Sequence, residues 1–156
     1  MFTQIEIKDY QQLHKMLDAL IKDDTNVTSI LANASSLLNY YLEDVNWVGF
    51  YLFNESTERL ELGPFQGLPA CTTIEVGKGV CGLSYKGNDV FIVDDVNAFP
   101  GHIACDANSR SEIVVPIYKD GVGIGVLDVD SPSYERFDES DREGLLEFVE
   151  IIKRYI

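Results

Sequence analysis

Apolar residues near the N-terminus recur at helical spacing: Leu13, Met16, Leu17, Leu20 and Ile21. Residues three and four apart share one side of a helix, so these five form a single stripe. Asp9, with Gln12 three residues on, reads as a capping box that starts the helix, and the pattern ends it near Asp23. Val27, Ile30, Leu31, Ala34, Leu37, Leu38 and Tyr41 predict a second helix, with Thr25 or Asp24 as its cap. The two helices together occupy about residues 9–42. The period then changes to two. In Trp47–Phe53, Trp47, Gly49, Tyr51 and Phe53 point one way, and Val48, Phe50 and Leu52 the other. A polar turn at Asn54–Thr57 leads to a returning strand over Arg59–Leu62, and Gly63–Thr73 reads as loop.

Val80–Tyr85 predicts a brief helix and Val90–Val93 a short strand. Asn97–Ser111 is irregular, with a turn at Pro100–Gly101. Glu112–Tyr118, the turn Lys119–Gly121 and Val122–Asp130 give the clearest hairpin signal in the chain. Asp138 caps a last helix, about 138–155, whose buried stripe is Leu145, Phe148, Val149 and Ile152. Two helices, four to six strands with helical inserts over about 46–131, and a closing helix predict an α+β fold. Its centre is a mostly antiparallel sheet with helices packed on one face.

The chain has 156 residues, which predicts one domain spanning 1–156, and 46% are hydrophobic, enough for a core of its own. Lys plus Arg is 12 and Asp plus Glu is 26, a net charge of −14. That field repels phosphate backbones, so neither nucleic acid nor an anionic membrane is expected as a partner. The start, MFTQIEIKDYQQ, has no signal-type apolar stretch, and no apolar run approaches the length of a membrane span. A cytoplasmic location is expected.

Three cysteines stand at Cys71, Cys81 and Cys105. An odd count without a CxxC pair argues against a structural disulfide framework. With only His14 and His102 besides, no zinc site is expected. Cys81, inside Gly79-Val80-Cys81-Gly82, fits a small buried hydrophobe. Cys71 and Cys105 fall in predicted loops. Two loop thiols suit a pair in which one attacks a substrate and the other resolves the product as a transient disulfide. His102 could lower the pKa of Cys105 if it were charged and close, while Asp106 would act the other way. His102 also fits a solvated loop residue, and His14 is expected to face solvent.

Strand alternation places Asp128 and Asp130 on one side, continuing the apolar line of Ile124 and Val126. Glu112 begins the partner strand and could join them. These acids either solvate a strand end or cluster in a cleft. In a cleft they would repel one another, and at least one would hold its proton near neutrality and could donate it. Trp47 and Tyr51 share a face, as core packing or as an aromatic wall for a methyl, sulfur or cationic group. Gly77-Lys78-Gly79 lacks the spacing of a nucleotide-phosphate loop.

Five stretches together resemble GAF-domain proteins: Asn46-Trp47-Val48-Gly49-Phe50-Tyr51, Gly77-Lys78-Gly79-Val80-Cys81-Gly82, Ser111-Glu112-Ile113-Val114-Val115-Pro116-Ile117, Gly125-Val126-Leu127-Asp128-Val129-Asp130-Ser131 and Phe137-Asp138-Glu139-Ser140-Asp141. Within that family the three cysteines with Glu112, Asp128 and Asp130 resemble the free methionine-(R)-sulfoxide reductases. The resemblance implies a GAF-like fold, Cys105 as nucleophile, Cys71 as resolving cysteine and Cys81 as an auxiliary thiol. It implies Trp47 and Tyr51 around the methylthio end of the substrate, with Glu112, Asp128 and Asp130 as pocket acids. It further implies no metal or organic cofactor, recycling by thioredoxin and NADPH, and a homodimer. The alternatives are a stand-alone GAF module that senses a small molecule, and a thiol redox sensor without turnover.

Overall fold

The computed structural model describes residues 2–102 and 105–156. Along the chain come α1 (Tyr10–Ile21), α2 (Val27–Tyr41), β1 (Trp47–Asn54), β2 (Arg59–Gly67), β3 (Thr73–Glu75), α3 (Gly79–Gly87), β4 (Phe91–Val93), a 3-10 turn (Val96–Ala98), β5 (Ser111–Lys119), β6 (Val122–Ser131) and α4 (Glu139–Lys153). No described helix is long and apolar enough to cross a membrane.

Local chemistry starts each long helix. Asp9 Oδ1 accepts from Gln12 N at 2.8 Å, but Gln12 Oε1 accepts from Lys8 N at 2.9 Å, one residue before the cap. Half of the expected capping box is therefore present. The cap of α2 is Asn26, not Thr25 or Asp24: Asn26 Oδ1 accepts from Ser29 N at 3.2 Å. Asp24 closes the turn before it by accepting from Asn26 N at 2.9 Å. Asp138 caps α4 as expected, with Asp141 returning the bond.

The six strands order as β3-β2-β1-β6-β5-β4, all neighbours antiparallel. β2 runs on to Gly67, through residues whose Gly and Pro content reads as loop. Pairing with β1 outweighs those local breakers, and a bulge between Gly49 and Tyr51 absorbs the irregularity. β1 and β6 lie very close at Gly125, where a Cβ would collide with the Tyr51 carbonyl oxygen.

Alternation divides the sheet as the period-two pattern predicts. Val48, Phe50, Ile113, Val115, Ile117, Leu127 and Val129 face α1, α2 and α4, where Leu13, Leu17, Leu31, Leu38, Phe148 and Ile152 complete the main core. Burying one such side chain contributes about 1.5–3 kcal/mol. Trp47, Tyr51, Val114 and Val126 face the other way and form a second, smaller core with Val80, Cys81 and Tyr85 of α3. The three long helices thus share one face, and the short α3 covers the opposite one. His14 does not face open solvent. It is half-buried between α1 and α4, with Nε2 2.7 Å from the Gly144 carbonyl oxygen. α4 can approach there because Gly144 leaves room for the Tyr10 ring.

Candidate active site

Strand register assembles the site on the α3 side of the sheet. Trp47 pairs with Asp130 and Gly49 with Asp128 across β1 and β6. Glu112 pairs with Asp130 and Val114 with Asp128 across β5 and β6. Three carboxyls from two strands therefore lie beside the indole of β1, and α3 closes over them with Cys81. One pocket is lined by Trp47, Tyr51, Cys81, His102, Cys105, Glu112, Asp128 and Asp130, together with Asp106, Ser109 and the start of α3. Every site residue expected from the sequence lines this pocket except Cys71, which joins it through a bond to Cys105.

The acids are not solvating a strand end. Glu112 and Asp128 are 6% and 5% exposed, and Asp130 is partly buried. Burial raises the proton affinity of all three. Glu112 is pushed well above the carboxylate range, by burial first and then by the charges of Asp128 and Asp130. Asp130 is also well raised, by burial and the charges of Asp128 and Asp106. Asp128 is raised by burial, opposed by hydrogen bonds from Glu112 and the Cys81 thiol and by His102. Hydrogen bonding within the cluster raises Glu112 and opposes the rise of Asp128 and Asp130, so Glu112 is the donor side and the two aspartates the accepting side. One Asp128 oxygen, Oδ1, is buried without a hydrogen-bond partner.

Cys71 and Cys105 are joined by a disulfide, with Cα atoms 5.4 Å apart. It bridges two loops at the edge of the pocket. Cys81 is free and buried on α3. Burial, reinforced by Asp128 and Glu112, pushes its thiol well up, so Cys81 remains a neutral S–H. The sulfur of Cys81 and one oxygen each of Glu112 and Asp128 lie within 4.8 Å of one another. Among the described residues this is a donor set that a metal ion could use, but only by displacing the protons held there.

Trp47 and Tyr51 are each 2% exposed and stack with ring centroids 5.8 Å apart. They belong to the smaller core and also line the pocket. Their polar ends tie down the loop that carries Cys71. Trp47 Nε1 donates to the Leu68 carbonyl at 3.2 Å, and the Tyr51 hydroxyl donates to the Cys71 carbonyl at 2.9 Å. Phe65, absent from the sequence reading, extends the stack at 5.2 Å from Trp47. Gly49 makes the room, since a Cβ there would strike Phe65.

His102 lines the pocket instead of lying in solvent. Burial lowers its pKa despite the charge of Asp128, which leaves a neutral imidazole rather than the cation that could activate Cys105. Lys78 is the single lysine or arginine among the described lining residues. Ser109, which lines the pocket, and Asn46 next to it escaped the sequence reading, and Asp106 entered it only as a charge acting on Cys105. Asn46 Nδ2 donates to Asp106 Oδ2 at 3.1 Å and to Ser109 Oγ at 3.2 Å.

Comparison with known proteins agrees with this geometry. The GAF domain family matches residues 25–156. Protein YtsP of Bacillus subtilis (strain 168) is 54% identical over 147 residues, covering 94% of this chain and 90% of that protein. The free methionine-R-sulfoxide reductase of Escherichia coli (strain K12) is 46% identical over 147 residues, covering 94% and 88%. The X-ray structure of free methionine-R-sulfoxide reductase from Neisseria meningitidis in complex with its substrate superposes with a TM-score of 0.94. It is 38% identical, covering 99% of this chain and 95% of that one. With match over nearly its full length and with its thiols and buried acids in one pocket, this chain belongs to the GAF domain family, in the branch of the free methionine-R-sulfoxide reductases.

Proposed function

We propose that the chain reduces free methionine-(R)-sulfoxide to methionine. The observation that carries this function is the meeting of a Cys71–Cys105 disulfide with Glu112 and Asp130, whose proton affinity is well raised, and with Asp128 beside them in one pocket. A sulfoxide presents an electrophilic sulfur and an oxygen that leaves only after protonation. The Cys105 thiolate attacks the sulfur while the acid cluster, through Glu112 and Asp130, protonates the oxygen. The protonated oxygen then passes to the Cys105 sulfur as its bond to the methionine sulfur and the transient S–S bond both break, so methionine departs and Cys105 is left as the sulfenic acid. Cys71 then attacks that sulfur, the S–O bond breaks, and hydroxide leaves as water with a further proton. An external dithiol, thioredoxin charged from NADPH, restores both thiols. These steps use only the chain's own thiols and carboxyls beside that reductant.

The pocket supports a free amino acid as substrate. Trp47 and Tyr51 offer an apolar wall to the methylthio end. The unpartnered Asp128 oxygen, in an acidic pocket, suits an ammonium group. Gly79 and Val80 open α3 without a side-chain cap, so backbone N–H groups there, beside Lys78, can take the carboxylate. Cys81 serves as auxiliary by donating its S–H to Asp128. A homodimer and a cytoplasmic setting, where the disulfide can be reduced, complete the proposal.

The test is a coupled assay with thioredoxin, its reductase and NADPH. Free R sulfoxide, free S sulfoxide and peptide-bound sulfoxide are supplied separately. NADPH oxidation with the free R epimer alone is the expected result. No turnover on any of the three, from folded protein with reduced thiols, overturns the proposal in favour of a redox or ligand sensor.

A further inference from the structure

Asn46 stands directly before Trp47, and its backbone N–H donates to the Asp130 carbonyl at 2.9 Å, fixing it beside the end of β6. Its side chain reaches the loop that carries Cys105. Both hydrogens of the amide are engaged, one by the Asp106 carboxylate at 3.1 Å and one by the Ser109 hydroxyl at 3.2 Å. Its oxygen is buried and has no partner. An unsatisfied buried acceptor costs about 1–3 kcal/mol. Turning the amide over would set that oxygen against the Asp106 carboxylate, so the contact with Asp106 dictates the orientation and leaves the oxygen orphaned. A buried group left unsatisfied beside a functional loop calls for a reason.

The loop itself is organised around the same carboxylate. Its other oxygen accepts from Asn108 N at 2.8 Å, and Ser109 N donates to the Asp106 carbonyl at 3.3 Å. The backbone rejoins the sheet only at Arg110, whose N–H donates to the Ser131 carbonyl at 2.8 Å. Between Cys105 and Arg110, Asn46 is the side chain that ties this turn to β1.

We propose that Asn46 is a catch that holds the Cys105 loop in its disulfide-closed position, a positioning residue for the joining of Cys71 to Cys105. The inference rests on Cys105 as nucleophile and Cys71 as resolving thiol. In that step the Cys71 thiolate attacks the sulfur of the Cys105 sulfenic acid, an S–S bond forms, the S–O bond breaks, and hydroxide departs as water after taking a proton. The loop must place Cys105 with its Cα 5.4 Å from that of Cys71. The fork from Asn46 favours that placement, because hydrogen bonds to a charged acceptor are the stronger kind.

The experiment sets the thiol–disulfide equilibrium of the full chain against reduced and oxidised dithiothreitol, without sulfoxide, for the unsubstituted protein and for Asn46→Ala. The equilibrium constant for closing Cys71–Cys105 falls about tenfold or more in the variant. In a first turnover with free methionine-R-sulfoxide, dimedone captures more Cys105 sulfenic acid in Asn46→Ala, because closure is slower. Asp106→Ala shifts the equilibrium in the same direction, and the double variant adds little, since both remove one contact. An unchanged equilibrium and capture yield, or fully additive effects, overturns the proposal. A merely structural Asn46 would lower the Tm without moving the disulfide equilibrium. If Asn46→Ala does not fold, Asp106→Ala and Ser109→Ala make the same measurement from the loop side. Failure of the nucleophile assignment shows separately, as no dimedone-captured sulfenic acid on Cys105 in Cys71→Ser, where no closure competes, while the dithiothreitol equilibrium of the unsubstituted chain still reports on the catch.

Discussion

Glu112→Gln tests whether the buried acid cluster holds its protons. Glu112 is 6% exposed and its pKa is raised well above the ordinary 4.5, by burial first and then by Asp128 and Asp130. The sign of the pH dependence follows. Below the ordinary value the group is protonated in the folded and the unfolded chain alike, and its full contribution to stability is present. Above it the unfolded chain releases the proton and the folded chain keeps it. Stability then falls by about 1.4 kcal/mol per pH unit for one group, until the pH passes the folded pKa.

Glutamine keeps the shape and a donor but has no proton to lose, so the variant escapes this decline. Near the bottom of the window the two proteins should agree within about 1 kcal/mol. From about pH 5 to about pH 7 the variant gains up to about 2.7 kcal/mol on the unsubstituted chain. At this chain length that corresponds to roughly 5–10 °C in Tm. Urea unfolding at fixed pH steps, followed by the fluorescence of the single tryptophan, Trp47, reads the difference with the disulfide kept oxidised. A plateau in the gap locates the folded pKa. A gap that stays constant across the window, or closes as pH rises, would refute the reasoning, because it would mean an ionised Glu112 stabilised by a partner.

Three further outcomes are expected. Cys105→Ser abolishes methionine formation, whereas Cys71→Ser forms about one methionine per chain and then stops, because its sulfenic acid has no resolving partner; amino-acid analysis after mixing with free methionine-R-sulfoxide distinguishes the two. Iodoacetamide at neutral pH, added to the reduced chain, labels Cys105 and Cys71 well before Cys81, whose buried thiol keeps its proton; equal labelling of Cys81 by peptide mapping counts against its role as a neutral donor. Gly125→Ala drives a methyl group into the Tyr51 carbonyl and lowers stability by about 1–3 kcal/mol; because β1 and β6 carry Trp47, Asp128 and Asp130, turnover falls as well, and an unchanged Tm would show that the strands can part without cost.

The faces of the sheet were legible because side-chain alternation is a local property. Trp47 with Tyr51, and Asp128 with Asp130, fall on the sides that the period-two pattern assigns. Their meeting was not legible from alternation alone. It depends on which residue of β1 lies opposite which residue of β6, a register set by the whole sheet and by the bulge near Gly49. β3 was missed because Thr73–Glu75 has one buried apolar residue, Ile74, between two exposed polar ones, whereas the equally short edge strand β4 is apolar throughout. The extension of β2 was hidden by Gly63, Pro64 and Gly67, whose local preference is overridden by pairing with β1. Phe65, His102, His14 and Asn46 take their roles from partners distant in sequence, and composition carries no trace of such contacts. The cap of α2 differed by one or two residues because Asp24, Thr25 and Asn26 are all competent caps, and the turn closed by Asp24 decides among them.

Proton accounting connects the acids to the thiols. Reducing a sulfoxide with two thiols yields sulfide, disulfide and water, so the departing oxygen collects two protons, and overall both come from the thiols. In the proposed reaction Cys105 gives up its proton before it attacks, since only the thiolate is nucleophilic. Some group has to keep a proton near the oxygen in the interval. Exposed carboxylates would release theirs at neutral pH and could not do so. Glu112 and Asp130, each raised by burial first and then by the charge of Asp128, can. With Lys78 the only lysine or arginine among the described lining residues, and His102 neutral, little in the pocket draws that proton away. Burial, and then the charges of the few acids beside it, keep the proton affinity of this cluster high, whatever the net charge of the rest of the chain.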